Sequence, residues 1–279
     1  MTAWIDAHHH LWKYDPDQYP WMSGSMDRLR RDHGLDDFKD IVQPLGVTGS
    51  VAVQARQMVE ETGYLLDLAE DDDFVRGVVG WLPLVAADIE NRLDRFSQRP
   101  KLKGLRHVLH DEHDPFYMLR DDFNNGIATL KHHALTYDLL IFADHLPQTL
   151  TFVDRHPEQV FILDHIAKPS IASGAVEPWK SGLGDLAKRD NVVCKISGMM
   201  TEAVWDGWSD SDFVPYLDIV LEAFTPQRVM FGSDWPVMTM AGGYADWMRI
   251  VRNWSARLSE SEANAIRMST ANRVYGLDG

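Results

Sequence analysis

Three consecutive histidines, His8, His9 and His10, lie near the N-terminus within a short segment that has tryptophans on both sides. If this segment is a β-strand, alternation places Asp6, His8 and His10 on one face and His9 on the other. Two neutral imidazoles one pleat apart converge on a single point, where they can bind a metal ion or guide a proton. A tag remnant and a polar turn are the alternatives. The apolar strand around the histidines favours a functional site.

Polar side chains with acid, base or hydrogen-bonding capacity recur after the later apolar segments. Each one alone is weak evidence, because a Gly-Ser-Asp turn is more often only a helix cap. Their recurrence at matching positions indicates that they share one edge of a parallel sheet, where the carboxyl ends of strands collect catalytic groups. These side chains are Gln54, Arg56, Arg106, His107, Asp144, His145, Asp164, His165, Lys195, Ser197, Ser233, Asp234 and Trp235.

Short β-branched segments alternate with amphipathic segments along the chain, and these elements must position the polar groups. The predicted strands are Trp4–Ala7, Ser50–Val53, Gly77–Trp81, Lys103–Arg106, Leu139–Phe142, Val160–Leu163, Val192–Ile196 and Val229–Phe231. The predicted helices include Gly63–Glu70, Asp88–Phe96, Phe123–Tyr137, Gln148–Arg155, Gly182–Lys188 and Phe213–Phe224.

Eight strand–helix repeats without a linker predict an α/β protein, a single (β/α)₈ TIM barrel that occupies residues 1–279 as one domain. An extra C-terminal helix is predicted over Ser259–Tyr275, packed outside the barrel. The main alternative is a doubly wound open sheet. That fold usually carries a glycine-rich phosphate loop after an early strand, and this sequence has none.

Composition and charge exclude several classes of function. The 279 residues carry a formal net charge of −15, which disfavours a nucleic-acid partner because phosphate binding needs a basic surface. No apolar segment approaches the ~20 residues that span a membrane. The single cysteine, Cys194, excludes an internal disulfide framework and predicts a buried strand thiol in a cytoplasmic protein. A small molecule is the expected partner, and the chain suits a monomer or a homo-oligomer.

Distinctive motifs occur in a fixed order from residue 5 to residue 277. They are Ile-Asp-Ala-His-His-His-Leu-Trp, Phe-Ile-Leu-Asp-His-Ile-Ala-Lys-Pro, Lys-Ile-Ser-Gly, Met-Phe-Gly-Ser-Asp-Trp-Pro and the closing Asn-Arg-Val-Tyr-Gly-Leu. This series resembles the amidohydrolase-2 branch of the amidohydrolase superfamily, in particular its sugar-lactone and dicarboxylate-lactone hydrolases. The resemblance implies a (β/α)₈ barrel, in agreement with the strand count, and hydrolysis of a lactone.

The same resemblance implies roles for individual residues. His8 and His10 match the histidine pair of the family's first strand, His165 matches its sixth-strand histidine, and Asp234 matches its eighth-strand aspartate. These four residues would hold one divalent metal, with zinc as the expected ion, although the lactonase branch also includes members that work without one. Lys195 belongs to the Lys-Ile-Ser-Gly motif and does not suit a bridging role, so a two-metal centre is not expected.

Lactone hydrolysis needs an activated water, a polarised carbonyl and a proton for the departing oxygen. Asp234 is the predicted general base, which takes the proton from water and returns it to the leaving group. His8, His10 and His165 are predicted to polarise the carbonyl, directly or through the metal. The predicted substrate contacts are Arg106, which matches a family position, together with His145, Gln54, Trp81, Trp235 and Lys195.

The predicted barrel mouth offers few cations for a dicarboxylated lactone, which favours a neutral aldono-1,4- or 1,5-lactone. Among such lactones, the family resemblance implies one derived from a deoxy-sugar or a pentose, such as L-fuconolactone. Three alternatives stay open: a hydrolase of a dicarboxylated lactone, a metal-dependent decarboxylase of the same superfamily, and a sugar-binding protein without catalysis. The remaining histidines are expected to be ordinary. His107, His110 and His113 are assigned to a solvated loop, and His132 and His133 to the middle of a helix.

Overall fold

The computed structural model describes residues 2–22 and 24–277 and contains eight parallel strands that pair in sequence order. A parallel bridge between His9 and Trp235 brings the end of the last strand against the first, so the predicted (β/α)₈ barrel is confirmed. The strands are β1 (Trp4–His9), β2 (Val47–Val53), β3 (Val75–Gly80), β4 (Leu102–His107), β5 (Thr136–Leu139), β6 (Phe161–Leu163), β7 (Val192–Ile196) and β8 (Val229–Phe231).

One α-helix follows each strand and covers the outside of the barrel. These helices are α1 (Leu35–Val42), α2 (Val59–Asp71), α3 (Ile89–Phe96), α4 (Asp121–Leu130), α5 (Leu146–Asp154), α6 (Trp179–Ala187), α7 (Asp210–Phe224) and α8 (Tyr244–Ser255). The sequence pattern predicts six of these helices, and α1 and α8 are additional to them. Within the described residues, no helix has both the length and the apolar character needed to cross a membrane.

The predicted C-terminal helical segment is confirmed as three consecutive pieces. They are α9 (Glu260–Asn264), a π-helical turn (Ala265–Ser269) and α10 (Thr270–Tyr275). Tyr275 and Leu277 belong to the same buried cluster as barrel side chains such as Ile5 and Met230. The end of the chain therefore closes the barrel at the amino ends of its strands.

The barrel interior changes from apolar to charged along the strands. Near their amino ends, Val51, Ile162 and Val193 form an apolar layer, and burial of such surface is the main force that stabilises the fold. Two residues further along their strands, the interior holds the fully buried Asp164 and Lys195. The apolar floor thus supports an ionic layer directly beneath the mouth of the barrel.

The largest departure from the predicted elements surrounds β5. The predicted helix Phe123–Tyr137 is too long, because α4 ends at Leu130 and a 3₁₀ turn (Lys131–His133) follows it. Ala134 then adopts a left-handed conformation with φ of 54°, which terminates helical structure. The predicted strand Leu139–Phe142 therefore begins three residues too late, and His132 and His133 lie in a turn instead of mid-helix.

A bulge in β1 corrects the predicted face of Asp6. The pairing of β1 with β2 shifts register between Asp6 and His9, so the simple alternation of side chains breaks there. The carboxylate of Asp6 accepts hydrogen bonds from the backbone N–H groups of His8 and Ser233 and from the hydroxyl of Tyr244 on α8. The Asp6 side chain thus lies away from those of His8 and His10, on the side of β1 that faces α8, and ties β1 to the loop after β8.

Candidate functional site

Four side chains from three strand ends converge at the mouth of the barrel, and we call them the His/Asp cluster: His8, His10, His165 and Asp234. Oδ1 of Asp234 lies 3.2 Å from Nε2 of His10, 3.7 Å from Nε2 of His8 and 3.8 Å from Nε2 of His165. All four residues are buried. The structure therefore brings together the residues that the sequence motifs single out.

A hydrogen bond on the far side of the ring fixes which nitrogen of His10 carries the proton. Nδ1 of His10 lies 2.8 Å from the carbonyl oxygen of Val53. A carbonyl oxygen only accepts, so Nδ1 is the donor and the other nitrogen, Nε2, faces Asp234. His8 has charged neighbours at both nitrogens: Nδ1 lies 3.2 Å from Oδ1 of Asp164 and 3.2 Å from Nζ of Lys195, and Nε2 lies 3.3 Å from Nη1 of Arg106.

Burial favours the neutral imidazole at two members of the cluster, His8 and His165. It lowers the pKa of His8 well below its ordinary value, and the positive charges of Lys195 and Arg106 act in the same direction against the opposing field of Asp164. Burial also lowers the pKa of His165 well below its ordinary value. Neutral imidazoles that present lone pairs are the form in which histidine binds metals.

The donor set fits a single divalent metal ion. In tetrahedral zinc sites, metal–nitrogen bonds of about 2.0–2.1 Å put neighbouring ligand atoms about 3.3 Å apart. The separations of 3.2–3.8 Å from Asp234 Oδ1 to the three Nε2 atoms are close to that spacing. The ligand atoms of His8, His10 and Asp234 lie within 4.8 Å of one another, and those of His8, Asp164 and His165 form a second such group.

A left-handed turn after β6 orients His165. Four consecutive residues, His165–Lys168, have φ between 48° and 60°, a conformation that costs side-chain-bearing residues energy. The indole N–H of Trp179 donates to the carbonyl of Ile166 at 2.6 Å, and Nδ1 of His165 lies 2.8 Å from Oγ of Ser197. Tertiary contacts thus hold a strained backbone that points the imidazole at Asp234.

Beneath the cluster lies a buried ionic layer. Asp164 contacts the guanidinium of Arg106 at 3.0 Å and the ammonium of Lys195 at 3.1 Å, and Lys195 lies 2.5 Å from Asp138. Burial opposes ionisation of Asp164, but Lys195, His8 and Arg106 together hold its pKa well below its ordinary value. Burial raises the pKa of Asp138 to about 6, against the opposing field of Lys195. An ionised Asp164 therefore supports His8 from below.

A cavity of about 420 Å³ opens above the cluster, and its lining side chains form two chemically different groups. His10, Arg106, His165 and Asp234 are the cluster and ionic-layer residues among them. One group, which we call the charged wall, contains His110, Asp111, Lys168, Thr201 and Glu202, with the ring of Phe142 against His110 and Lys168. The remaining side chains are largely apolar, and we call them the apolar wall: Trp21, Met26, Leu29, Ala55, Val108, Leu140, Trp205, Val237 and Met240. Such an amphipathic cavity suits a small ligand with one polar and one apolar face.

Five of the six residues predicted to contact substrate lie outside the lining of this cavity, and only Arg106 lies within it. Gln54 is buried and its Oε1 accepts from Arg106 at 3.0 Å. Lys195 belongs to the ionic layer below. The ring of Trp235 is buried against Phe38 and His33. The remaining two are Trp81, whose indole N–H donates to His107, and His145, whose Nδ1 accepts from the backbone N–H of Phe142.

Sequence reasoning missed part of the charged wall. His110 lines the cavity, with its ring 4.5 Å from that of Phe142, and is not simply a residue of a solvated loop. His107 is buried and stacks on Tyr117, whereas His113 is exposed as predicted. The predicted site does not include Lys168, which lies three residues after His165 within the same motif. Its place in the motif of a predicted site histidine is the sequence feature that points to it.

Comparisons with known proteins agree with this geometry. A family model described as Amidohydrolase matches residues 5–277. An L-fucono-1,5-lactonase from Burkholderia multivorans is 39% identical over 284 residues, which cover 98% of this chain and 96% of that protein. An L-fucono-1,5-lactonase from Burkholderia ambifaria is 36% identical over 88% of this chain and 85% of its own length.

A solved structure extends the likeness to three dimensions. The crystal structure of an amidohydrolase from Burkholderia multivorans with bound zinc superposes with a TM-score of 0.95 and 39% identity, and covers 99% of both chains. The agreement spans the whole barrel and every element that carries the His/Asp cluster. The chain therefore belongs to the amidohydrolase family.

Proposed function

We propose that this protein hydrolyses a sugar-derived lactone, an aldono-1,4- or 1,5-lactone such as L-fuconolactone, to the aldonic acid. The observation that carries the proposal is the convergence of three imidazole Nε2 atoms on one Asp234 carboxylate oxygen at the base of an amphipathic cavity. The names of the relatives at 39% and 36% identity support lactone hydrolysis as the reaction.

In this mechanism Asp234 is the general base. Its carboxylate faces the cavity, where it takes a proton from the attacking water as the hydroxyl adds to the lactone carbonyl carbon. The C–O bond of the ring then breaks, and the protonated Asp234 returns the proton to the departing alkoxide. One carboxylate thus serves both proton transfers, and the aldonic acid leaves with the ring opened.

We further propose zinc as the metal held by His8, His10, His165 and Asp234. When bound there, zinc supplies Lewis-acid polarisation of the lactone carbonyl. His10 donates from Nδ1 to the carbonyl of Val53 and directs Nε2 toward Asp234, an orientation that suits metal ligation through Nε2. The zinc-bound amidohydrolase at 39% identity supports the same choice of ion.

The charge balance of the cavity favours a neutral aldonolactone over a dicarboxylated one. The guanidinium of Arg106 is already paired with Asp164, and the ammonium of Lys168 is paired with Glu202. A substrate with two carboxylates needs cations whose charge is not already balanced. Arg106 still lines the cavity, and we propose that its guanidinium contacts the bound substrate.

A screen of aldonolactones with a pH indicator tests the reaction. We expect proton release from at least one aldonolactone, and a decrease in kcat of about 100- to 10,000-fold for Asp234→Asn. Asp190→Asn is the matched control, because Asp190 is exposed and distant in sequence from every cluster residue. Undiminished turnover by Asp234→Asn contradicts the role of that residue, and carbon dioxide release without lactone hydrolysis contradicts the proposed reaction.

A further inference from the structure

Lys168 and Glu202 form an ion pair on the charged wall of the cavity. The ammonium Nζ lies 2.8 Å from the carboxylate Oε1, and the two side chains are only 16% and 21% exposed. An ordinary surface pair is far more exposed and contributes little to stability. This pair is held largely out of bulk water, yet both residues line the cavity above the His/Asp cluster.

The strained turn after β6 delivers Lys168 to the same cavity as His165. His165 begins the left-handed turn and Lys168 ends it, with φ of 53° and 48°. The backbone N–H of Lys168 donates to the carbonyl of His165 at 2.8 Å, which closes the turn. A strained backbone persists where the surroundings over-determine it, commonly at functional sites. Here it fixes Lys168 relative to the cluster.

An aromatic ring and an acidic side chain adjoin the ion pair. Phe142 lies under the ammonium at 5.9 Å from its ring centroid, and Lys168 helps to lower the pKa of Asp111 on the same wall, after the larger effect of His110. An ammonium offers three donors and a carboxylate offers only acceptors. A sugar hydroxyl both accepts and donates hydrogen bonds. Two neighbouring ring hydroxyl groups can therefore bind together, one by accepting from the ammonium and the other by donating to the carboxylate.

We propose that Lys168 and Glu202 bind the ring hydroxyl groups of the lactone and so determine specificity for a polyhydroxylated substrate. This inference rests on the proposed function. The lactone carbonyl lies at the cluster, the ring hydroxyls contact the ion pair, and the apolar wall covers the less polar face of the ring. Because the pair is already ordered by its own contacts, little additional ordering is needed when the substrate binds.

Single substitutions give the first test. Lys168→Met and Glu202→Gln should each raise KM for L-fucono-1,4-lactone about 10- to 100-fold, the effect of losing hydrogen bonds to a charged group, with kcat changed by less than about 3-fold. The inhibition constant of δ-valerolactone, a competitor without ring hydroxyls, should stay within about 2-fold. Lys188→Met is the matched control, because Lys188 pairs with Asp185 on the surface and is 72% exposed.

The double variant separates binding from a structural role. The double variant Lys168→Met/Glu202→Gln removes both charges, so no unpaired charge remains at the site. If the pair serves only structure, the double variant recovers the wild-type KM; if it binds hydroxyl groups, KM stays at least as high as in either single variant. Recovery of KM, or an equal loss of affinity for δ-valerolactone, overturns the inference.

The wild-type measurement keeps the two proposals apart. A wild-type protein that hydrolyses no aldonolactone contradicts the proposed function itself. An active wild-type protein whose KM is unaltered by Lys168→Met contradicts only the role of the ion pair. Circular dichroism and the midpoint of thermal unfolding identify variants that fail to fold, and for such a variant Lys168→Gln or Glu202→Met provides the same comparison.

Discussion

Replacement of Gly198 by alanine tests whether the placement of His165 controls activity. Gly198 follows β7 and has φ of 62°, in the left-handed region. A Cβ atom at this position would lie 2.6 Å from Nδ1 and 2.7 Å from Cγ of His165. Glycine is therefore required twice, once for the backbone conformation and once for the space next to the imidazole.

The structure gives the size of the effect. Ordinary van der Waals contact begins at about 3.4 Å, so the imidazole of His165 must move about 0.8 Å, the difference between 3.4 and 2.6 Å. Misplacement of a catalytic group by about 1 Å can cost about 100-fold in rate. We expect Gly198→Ala to lower kcat/KM about 10- to 100-fold. The left-handed alanine should also lower the free energy of unfolding by about 1–2 kcal/mol.

Gly174→Ala is the matched control. Gly174 has φ of 68°, and a Cβ there meets no atom of the described residues within 4 Å. Gly174→Ala therefore places an alanine in a left-handed conformation, as Gly198→Ala does, but it creates no steric clash. Urea denaturation should show the backbone cost in both variants and a larger loss of stability for Gly198→Ala, because only that variant overpacks a buried side chain. The lactone assay should detect a loss of activity only for Gly198→Ala. If Gly198→Ala is as active as Gly174→Ala, the positioning argument for His165 is refuted.

Two further outcomes concern pH and metal. Burial lowers the pKa of His33 to about 4. The contribution of neutral His33 to stability is therefore complete above about pH 6.5 and is lost as the pH falls toward 4. Urea denaturation of His33→Phe should therefore show a smaller decline between pH 7 and pH 4.5 than the wild type, and parallel declines would contradict this. Zinc at 100 times its Kd should stabilise the metal-free protein by about 2.7 kcal/mol. Calorimetry should detect a much smaller shift for Asp234→Asn, and an equal shift would remove Asp234 from the metal site.

The alternation of strands and helices was predictable because each element keeps its own hydrophobic period. The bounds of the elements near β5 could not be predicted, because residues 131–137 lack a glycine or proline and helical periodicity continues past the true end of α4. The helical segment ends where Ala134 adopts a left-handed conformation, which alanine rarely does. As a result Asp138, the buried partner of Lys195, was missed. A lysine within an apolar strand was the signal for such a partner.

The convergence of the His/Asp cluster was predictable because parallel strand ends share one edge of the barrel. The cavity walls were harder, since their side chains come from loops whose conformation depends on tertiary contacts. Trp235 illustrates the limit. Its position after β8 suggests substrate contact, but the chain turns there and buries the ring against His33 and Phe38. Lys168 enters the cavity only because four residues adopt an unusual backbone.

The hydrogen bonds of Asp6 have a consequence for how the protein is made. Asp6 leaves the ribosome 227 residues before its partner Ser233. At about 5–20 residues per second, synthesis of that interval takes roughly 10–50 seconds. Throughout this time the bulge of β1 lacks its contacts with Ser233 and Tyr244. His8 and His10 therefore acquire their final geometry only after the loop that follows β8 has been synthesised.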